Sequence, residues 1–205
     1  MGRNIDYRNE ISLALFNIDT RSIIIYSFDD LTNTEGYKNF EKTGSQGLET
    51  EFKYKLNKGT ICVNYSFYSY ANKKVIEAYA VPQNKDVVLA FPAHKINAFI
   101  SYSLTKKLSV HLSESFYGPS YSQQLHLRDN DEYTSLIAKT NPFLLINTAI
   151  SIKNIFTKGL SVNLSVYNVG NSKTLAIQPY NSEHASLPYN KREITLKLKY
   201  ELNSK

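Results

Sequence analysis

The chain has 205 residues, 42% of them hydrophobic and 20% charged, and its 24 Lys and Arg against 18 Asp and Glu leave a net charge of +6 at pH 7. That length holds one domain or part of a larger one, the composition is that of a folded chain, and no apolar run approaches the ~18 residues of a membrane-crossing helix. The lysines are scattered singly without a basic stripe or recognition motif, which argues against nucleic acid as a partner, and the four His and single Cys62 lack metal-site spacing.

At the start, MGRNIDYRNE has neither the apolar core nor the small-residue cleavage site of a secretion signal, and Asp6 breaks the myristoylation pattern. This leaves a cytoplasmic protein or a true start farther upstream. From Glu10 to Phe28 the chain is apolar but changes phase around Asn17 to Arg21, which predicts a long bulged strand or two short ones. LETEFKYKL then sets Leu48, Phe52, Tyr54 and Leu56 against Glu49, Glu51, Lys53 and Lys55, and ICVNYSFYS sets Ile61, Val63, Tyr65 and Phe67 against Asn64, Ser66 and Tyr68. INAFISYSL opposes Ile96, Ala98, Ile100, Tyr102 and Leu104 to Asn97, Ser101 and Ser103, while LSVHLSESF opposes Leu108, Val110, Leu112 and Phe116 to Ser109, His111, Ser113 and Ser115. LINTAISIK places Ile146, Ile150 and Ile152 opposite Asn147, Ser151 and Lys153. LSVNLSVYN places Leu160, Val162, Leu164 and Val166 opposite Ser161, Asn163, Ser165 and Tyr167. REITLKLKYEL closes the series with Ile194, Leu196, Leu198, Tyr200 and Leu202 against Glu193, Thr195, Lys197, Lys199 and Glu201.

Successive side chains of a strand point to opposite faces, so these are ribbons with one oily and one polar face. They predict an all-β protein of about eight antiparallel strands. LNKG near 56 to 59, TKK at 105 to 107 and IFTKG at 155 to 159 are short turns, whereas 29 to 44, 71 to 92, 118 to 142 and 170 to 189 are long connections. Strict alternation of short and long connections predicts an up-and-down meander with turns at one end and loops at the other, the plan of outer-membrane barrels. A soluble barrel would show the same period with its oily face inward. Strands of about ten residues and aromatics near strand ends, such as Tyr68, Tyr70, Phe116, Tyr117 and Tyr200, favour the membrane form, and Glu114 in the oily phase of Leu112 and Phe116 opposes it. The favoured orientation puts the oily side chains toward lipid and Glu49, Glu51, Lys53, Asn64, Asn97, Asn147, Asn163, Lys197 and Lys199 toward a wet lumen.

Seven stretches in order resemble the C-terminal β-barrel portion of TonB-dependent outer-membrane receptors, the last of them in a version common among Bacteroidetes-type receptors. They are ALFNIDTRSIIIY followed by GYKNFEKTGSQGLETEFKYKLNKG, NYSFYSYA, PAHKINAFISYSLTKKLSV, SESFYGP, LLINTAISIKNIFTKGLSVNLSVYNVGN and QPYNSEHASLPYNKREITLKLKYEL. The resemblance implies the last third of a 22-stranded barrel over residues 1–205, without the plug domain, the signal peptide or the TonB-contacting box, all of which would precede residue 1. It implies transport of a bulky scarce ligand such as an iron chelate, haem, cobalamin or a glycan, no enzyme activity and no cofactor. It also implies outer-membrane lipid, TonB, the missing strands and the barrel-assembly machinery as partners. The pattern departs from the family at Asn168, Val169, Gly170 and Asn171, where Asn, two apolar residues and Asp are usual, and at Leu202, where the family ends on an aromatic. A free-standing eight-stranded outer-membrane protein and a soluble small-ligand barrel are the alternatives.

Candidate ligand contacts are His111, Tyr117, Tyr180 and His184, and each has a plainer reading. His111 reads more simply as a hydrogen-bonded lumen residue, and Tyr180 and His184 of QPYNSEH as loop packing. RDND at 128 to 131 suggests a cation site but reads more simply as solvated charge. No nucleophile elbow or Gly-rich phosphate loop is present, and Cys62 reads as an inert strand residue.

Overall fold

The computed structural model describes residues 9–29, 34–127, 133–176 and 187–202. Twelve strands are present among them: β1 (Asn9–Asp29), β2 (Thr34–Leu56), β3 (Gly59–Ser69), β4 (His94–Ser103), β5 (Leu108–Tyr117), β6 (Tyr121–Leu127), β7 (Tyr133–Lys139), β8 (Phe143–Lys153), β9 (Leu160–Tyr167), β10 (Leu175–Ala176), β11 (Leu187–Pro188) and β12 (Glu193–Tyr200). Eight of them form one antiparallel sheet in the order β1-β2-β3-β4-β5-β8-β9-β12, and β6-β7 and β10-β11 form two small sheets of their own. The eight ribbons read from the period-2 pattern are the eight strands of the large sheet. β1 and β12 are its edges.

Three of the four long connections are more structured than the pattern predicts. Residues 34 to 44 are strand and not loop: β1 and β2 continue past the other strands as one hairpin, paired from Asn9 opposite Tyr54 to Asp29 opposite Thr34. Gly36 and Gly44 mask this continuation in the sequence, while the β-branched run Ile23, Ile24, Ile25 and the edge-to-face pair Tyr26 and Tyr37, 5.2 Å apart, sustain it. The phase change in β1 centres on Ser22, whose φ of 52° interrupts the ladder without ending it. Within 118 to 142 the chain folds into the β6-β7 hairpin, and within 170 to 189 it forms the β10-β11 pair.

A sheet one layer thick cannot bury its own oily side chains. Leu13 is 66% exposed and Leu196 63%, and both lie in the apolar phase. The tight hydrophobic cluster sits instead at the loop end, where Val81, Val87 and Leu89 of the β3-β4 connection pack with Ala93 and with Tyr121 and Ile137 of the β6-β7 hairpin. Leu89 is only 1% exposed. The two segments are also joined by the Ala90 amide donating to the Tyr121 carbonyl at 2.7 Å. The same connection reaches the β1-β2 hairpin, where Lys73 holds Asp19 at 2.8 Å. Leu89→Ala should therefore cost about 2–5 kcal/mol of local stability. In hydrogen exchange, amides of 79 to 90 and of β6-β7 should open together while β4, β5 and β8 keep their protection.

Candidate functional site

Register decides which side chains share a face, and it runs the polar residues of neighbouring strands into transverse rows. Ser12, Glu51, Asn64, Asn97 and Ser115 form one row, and Lys53, Cys62, Phe99, Ser113 and Asn147 the next. Nearer the turns come Ser101, His111, Ala149, Ser165 and Thr195, then Ser103, Ser109, Ser151, Asn163 and Lys197. Lys199 sits beside Ser161. Glu49 lies opposite Ser66, in a row that runs on through Lys95 and Tyr117 to Phe143. The nine residues Glu49, Glu51, Lys53, Asn64, Asn97, Asn147, Asn163, Lys197 and Lys199 thus stand on one continuous face. Glu114, opposite Ala98 and Ile146, stands on the other.

The polar face satisfies itself with short side chains. Ser115 donates to Asn97 at 2.9 Å, Asn163 to Ser151 at 2.7 Å, and Ser165 to Asn163 at 2.7 Å. Glu51 accepts from the Cys62 thiol at 3.6 Å and faces Lys53 at 3.5 Å. Clefts open onto this face, the larger one about 660 Å³ between Ser151, Asn163, Lys197 and Lys199. A second, about 430 Å³, lies against Glu49, Glu51 and Asn64. Among the described residues no group of three His, Cys, Asp or Glu could hold a metal ion.

His111 does not stand alone on this face: its ring stacks on Phe99, 6.4 Å away and 20° from parallel. Sequence reading left Phe99 without a face, although its place between Asn97 and Ser101 already required the polar one. Tyr117 lies in the last row before the loops, and the β5-β8 end of that row is aromatic. Its ring stacks on Phe143 at 4.7 Å and 19°, Lys95 Nζ lies 5.1 Å over its centre, and Phe143 meets Tyr189 at 6.5 Å. Phe143 and Tyr189 were missed because neither belongs to a polar-alternating stretch. A second aromatic group, Tyr68, Tyr70 and Phe91, gathers at the loop end of β3, and burial pushes the Tyr70 hydroxyl above its ordinary value. Tyr180, His184 and RDND lie outside the described residues.

The departure at 168 to 171 has a definite geometry. Asn168, 4% exposed and with φ 48°, receives Ser172 N on its Oδ1 at 2.8 Å and donates its Nδ2 to the carbonyls of Ser172 and Asn190 at 3.1 and 2.9 Å. Its own amide donates to Asn147 Oδ1 at 2.9 Å. Arg192 adds a bond to the Val169 carbonyl at 2.5 Å, and Asn171 Oδ1 accepts from Arg192 N at 3.1 Å. Both roots of the last connection are thereby tied to each other and to β8.

An antiparallel meander with one oily and one polar face, short turns at one end and organised connections at the other, is the wall of a β-barrel. The family described as TonB dependent receptor-like, beta-barrel matches residues 4–169, and the chain belongs to it. Its fold is that of the barrels of these receptors. The ferripyoverdine receptor of the outer membrane of Pseudomonas aeruginosa superposes with a TM-score of 0.67 at 17% identity, over 96% of this chain and 25% of that one. The ferric-catecholate import receptor Fiu from E. coli K12 gives 0.67 at 17% identity over 96% and 26%, and the siderophore receptor PirA from Acinetobacter baumannii 0.66 at 16% over 95% and 30%. The chain spans about a quarter to three tenths of the length of these structures. No curated protein sequence matches it.

Asn168→Ala leaves buried backbone groups without partners and puts a Cβ-bearing residue without local hydrogen bonds in the left-handed region, a combined cost of about 2–4 kcal/mol. Asn168→Gly keeps the conformation and loses only the bonds. Urea titration of the refolded chain in detergent should rank the midpoints wild type, Gly, Ala in falling order; equal midpoints would refute the staple.

Proposed function

We propose that this chain is a barrel segment of an outer-membrane receptor that takes up a bulky scarce ligand, and that the ligand is an iron chelate. Its polar face lines the aqueous bore, its oily face meets lipid, and the long connections face outside. The observation that carries the reading is the aromatic row Lys95, Tyr117, Phe143 and Tyr189, set at the loop end of the polar face beneath connections held by their own core and staple. A flat ring system with a cation beside it offers stacking and charge to a large planar or anionic chelate. Membership in the receptor family supports the transport role, and the named functions of the three similar structures support the ligand class. His111 and Phe99, deeper on the same face, belong to the bore. Tyr180 and His184 are proposed as loop contacts. On this reading the chain requires further barrel strands, a plug and TonB as partners, and reaches the membrane through the barrel-assembly machinery.

Orientation is tested first. Nitroxide labels at Leu164 and Leu196 of the membrane-refolded chain should be quenched by lipid-borne oxygen and those at Asn163 and Lys197 by an aqueous nickel chelate; the reverse pattern would make the protein a soluble-type barrel. Ligand class is tested by titrating ferric catecholate and hydroxamate chelates against the refolded chain. Tyr117→Ala should weaken retention about tenfold, the worth of one well-stacked ring, and an unchanged affinity would remove the row from the site.

A further inference from the structure

The turn end of the sheet carries a pattern that ligand uptake leaves unused. In the β8-β9 turn Phe156 has φ 59° and is 96% exposed. A bulky ring in the left-handed region is a backbone outlier, and such strain persists only where the surroundings impose it. They do so here: Asn154 Oδ1 accepts from Gly159 N at 2.8 Å, Ile155 N donates to the Leu160 carbonyl at 3.0 Å, and Leu160 N to the Thr157 carbonyl at 3.3 Å. An ordered turn therefore holds its largest apolar side chain wholly clear of the protein.

The neighbouring turn repeats the combination of exposed apolar and basic residues. Leu104, 48% exposed, precedes Lys106 and Lys107 in the β4-β5 turn, where Thr105 Oγ1 accepts from Lys107 N at 3.1 Å and Leu108 N at 3.0 Å. Lys58 occupies the β2-β3 turn, and Lys158 follows Phe156. All four lysines are exposed, none has an ion pair among the described residues, and the three turns contain no Asp or Glu. At the loop end Lys42, Lys73 and Lys74 each face a carboxylate, while Lys173 is exposed without an ion pair among the described residues and has no exposed apolar turn residue of the Phe156 kind beside it.

We infer that the turn end is a membrane-anchoring rim, in which Phe156 and Leu104 enter the interfacial zone of the bilayer while Lys58, Lys106, Lys107 and Lys158 bind the phosphates of anionic phospholipids. Charge complementarity selects the occupant, since unpaired lysines beside an apolar anchor match an anionic headgroup layer over its acyl boundary. The lipid face of the same strands continues into this zone. The inference rests on the receptor reading for its orientation, because short turns face the periplasm and thus the inner leaflet of the outer membrane.

The chain contains no Trp, so Phe156→Trp creates a single indole reporter, excited apart from the 16 Tyr at the red edge of absorption. Refolded into phosphatidylcholine vesicles containing phosphatidylglycerol, it should emit to the blue of its spectrum in lipid-free detergent solution and be quenched by brominated acyl chains, more strongly than in phosphatidylcholine alone. In micelles titrated with phosphatidylglycerol, the midpoint should rise about fivefold for each of the four lysines changed to Gln. Lys173→Gln at the loop end should leave it unchanged. Phe156→Asn, which suits the left-handed region, should keep or raise the urea midpoint; a fall like that of a core residue would make Phe156 a packing residue and overturn the inference. Emission equal in both lipids, or a blue shift that grows with protein concentration without lipid, would overturn it too, the latter in favour of a second copy of the chain. A Leu164→Trp reporter separates the two readings. If it reports lipid while position 156 stays in water, only the rim fails; if neither reports lipid, the receptor reading fails with it.

Discussion

In hydrocarbon, every backbone N–H and C=O must find a partner within the protein, and on the proposed membrane reading nearly every feature of this chain follows from that constraint. The wall strands spend their backbone groups on one another, each strand from β1 to β12 in the large sheet pairing with its neighbours. A wall one layer thick has no interior, so the same residues that would form a core elsewhere, Leu13, Leu164 or Leu196, face outward. The two edges are where the requirement remains open. In a bilayer β1 and β12 each need a neighbouring strand, which ties the proposed membrane location to a larger closed barrel.

The opposite face is governed by a different economy. Serines and asparagines, which bond across a strand pair at short reach, dominate its middle rows, as in Ser115 with Asn97 and Asn163 with Ser151. Long charged side chains gather where the clefts are, Lys197 and Lys199 on one flank and Glu49 and Glu51 on the other. Such a surface binds nothing tightly by itself, because each group is either paired with a neighbour or free to stay hydrated. The proposed capture site lies instead at the loop end, where Tyr117 and Phe143 replace hydroxyls and amides with rings.

How much of this could be read in advance depends on whether a feature is periodic. The wall strands and their faces are legible because Lys197, Lys199 and Glu201 alternate with Leu196, Leu198 and Tyr200, and a slip of one residue would reverse every side chain. The extension of β1 and β2 was hidden, because Gly36 and Gly44 look like turn residues when only neighbours in sequence are considered. The core of the β3-β4 connection was hidden for the opposite reason. Val81, Val87 and Leu89 are conspicuously apolar, but they follow no period, and their partners Tyr121 and Ile137 lie far along the chain. The aromatic row was half visible: Tyr117 stood out at a strand end, but only pairing with β8 brings Phe143 beside it.

The loop-end devices complement the wall. A strand pair can orient a ring only as well as its last rungs are held, and Tyr117 and Phe143 occupy the final rung of the β5-β8 ladder. Beyond that rung the chain would fray. Gly118 N donates to the His94 carbonyl at 2.8 Å, Val169 N to the Ile146 carbonyl at 2.8 Å, and Asn168 fastens Asn190 beside Tyr189, so each segment leaving the wall is tied before it diverges. The packed cluster around Leu89 then joins the β3-β4 connection to the β6-β7 hairpin as one body. On the proposed reading, rings placed at a mouth stiffened in this way would meet an incoming ligand already aligned, and the ordering cost of binding would fall on whatever still moves.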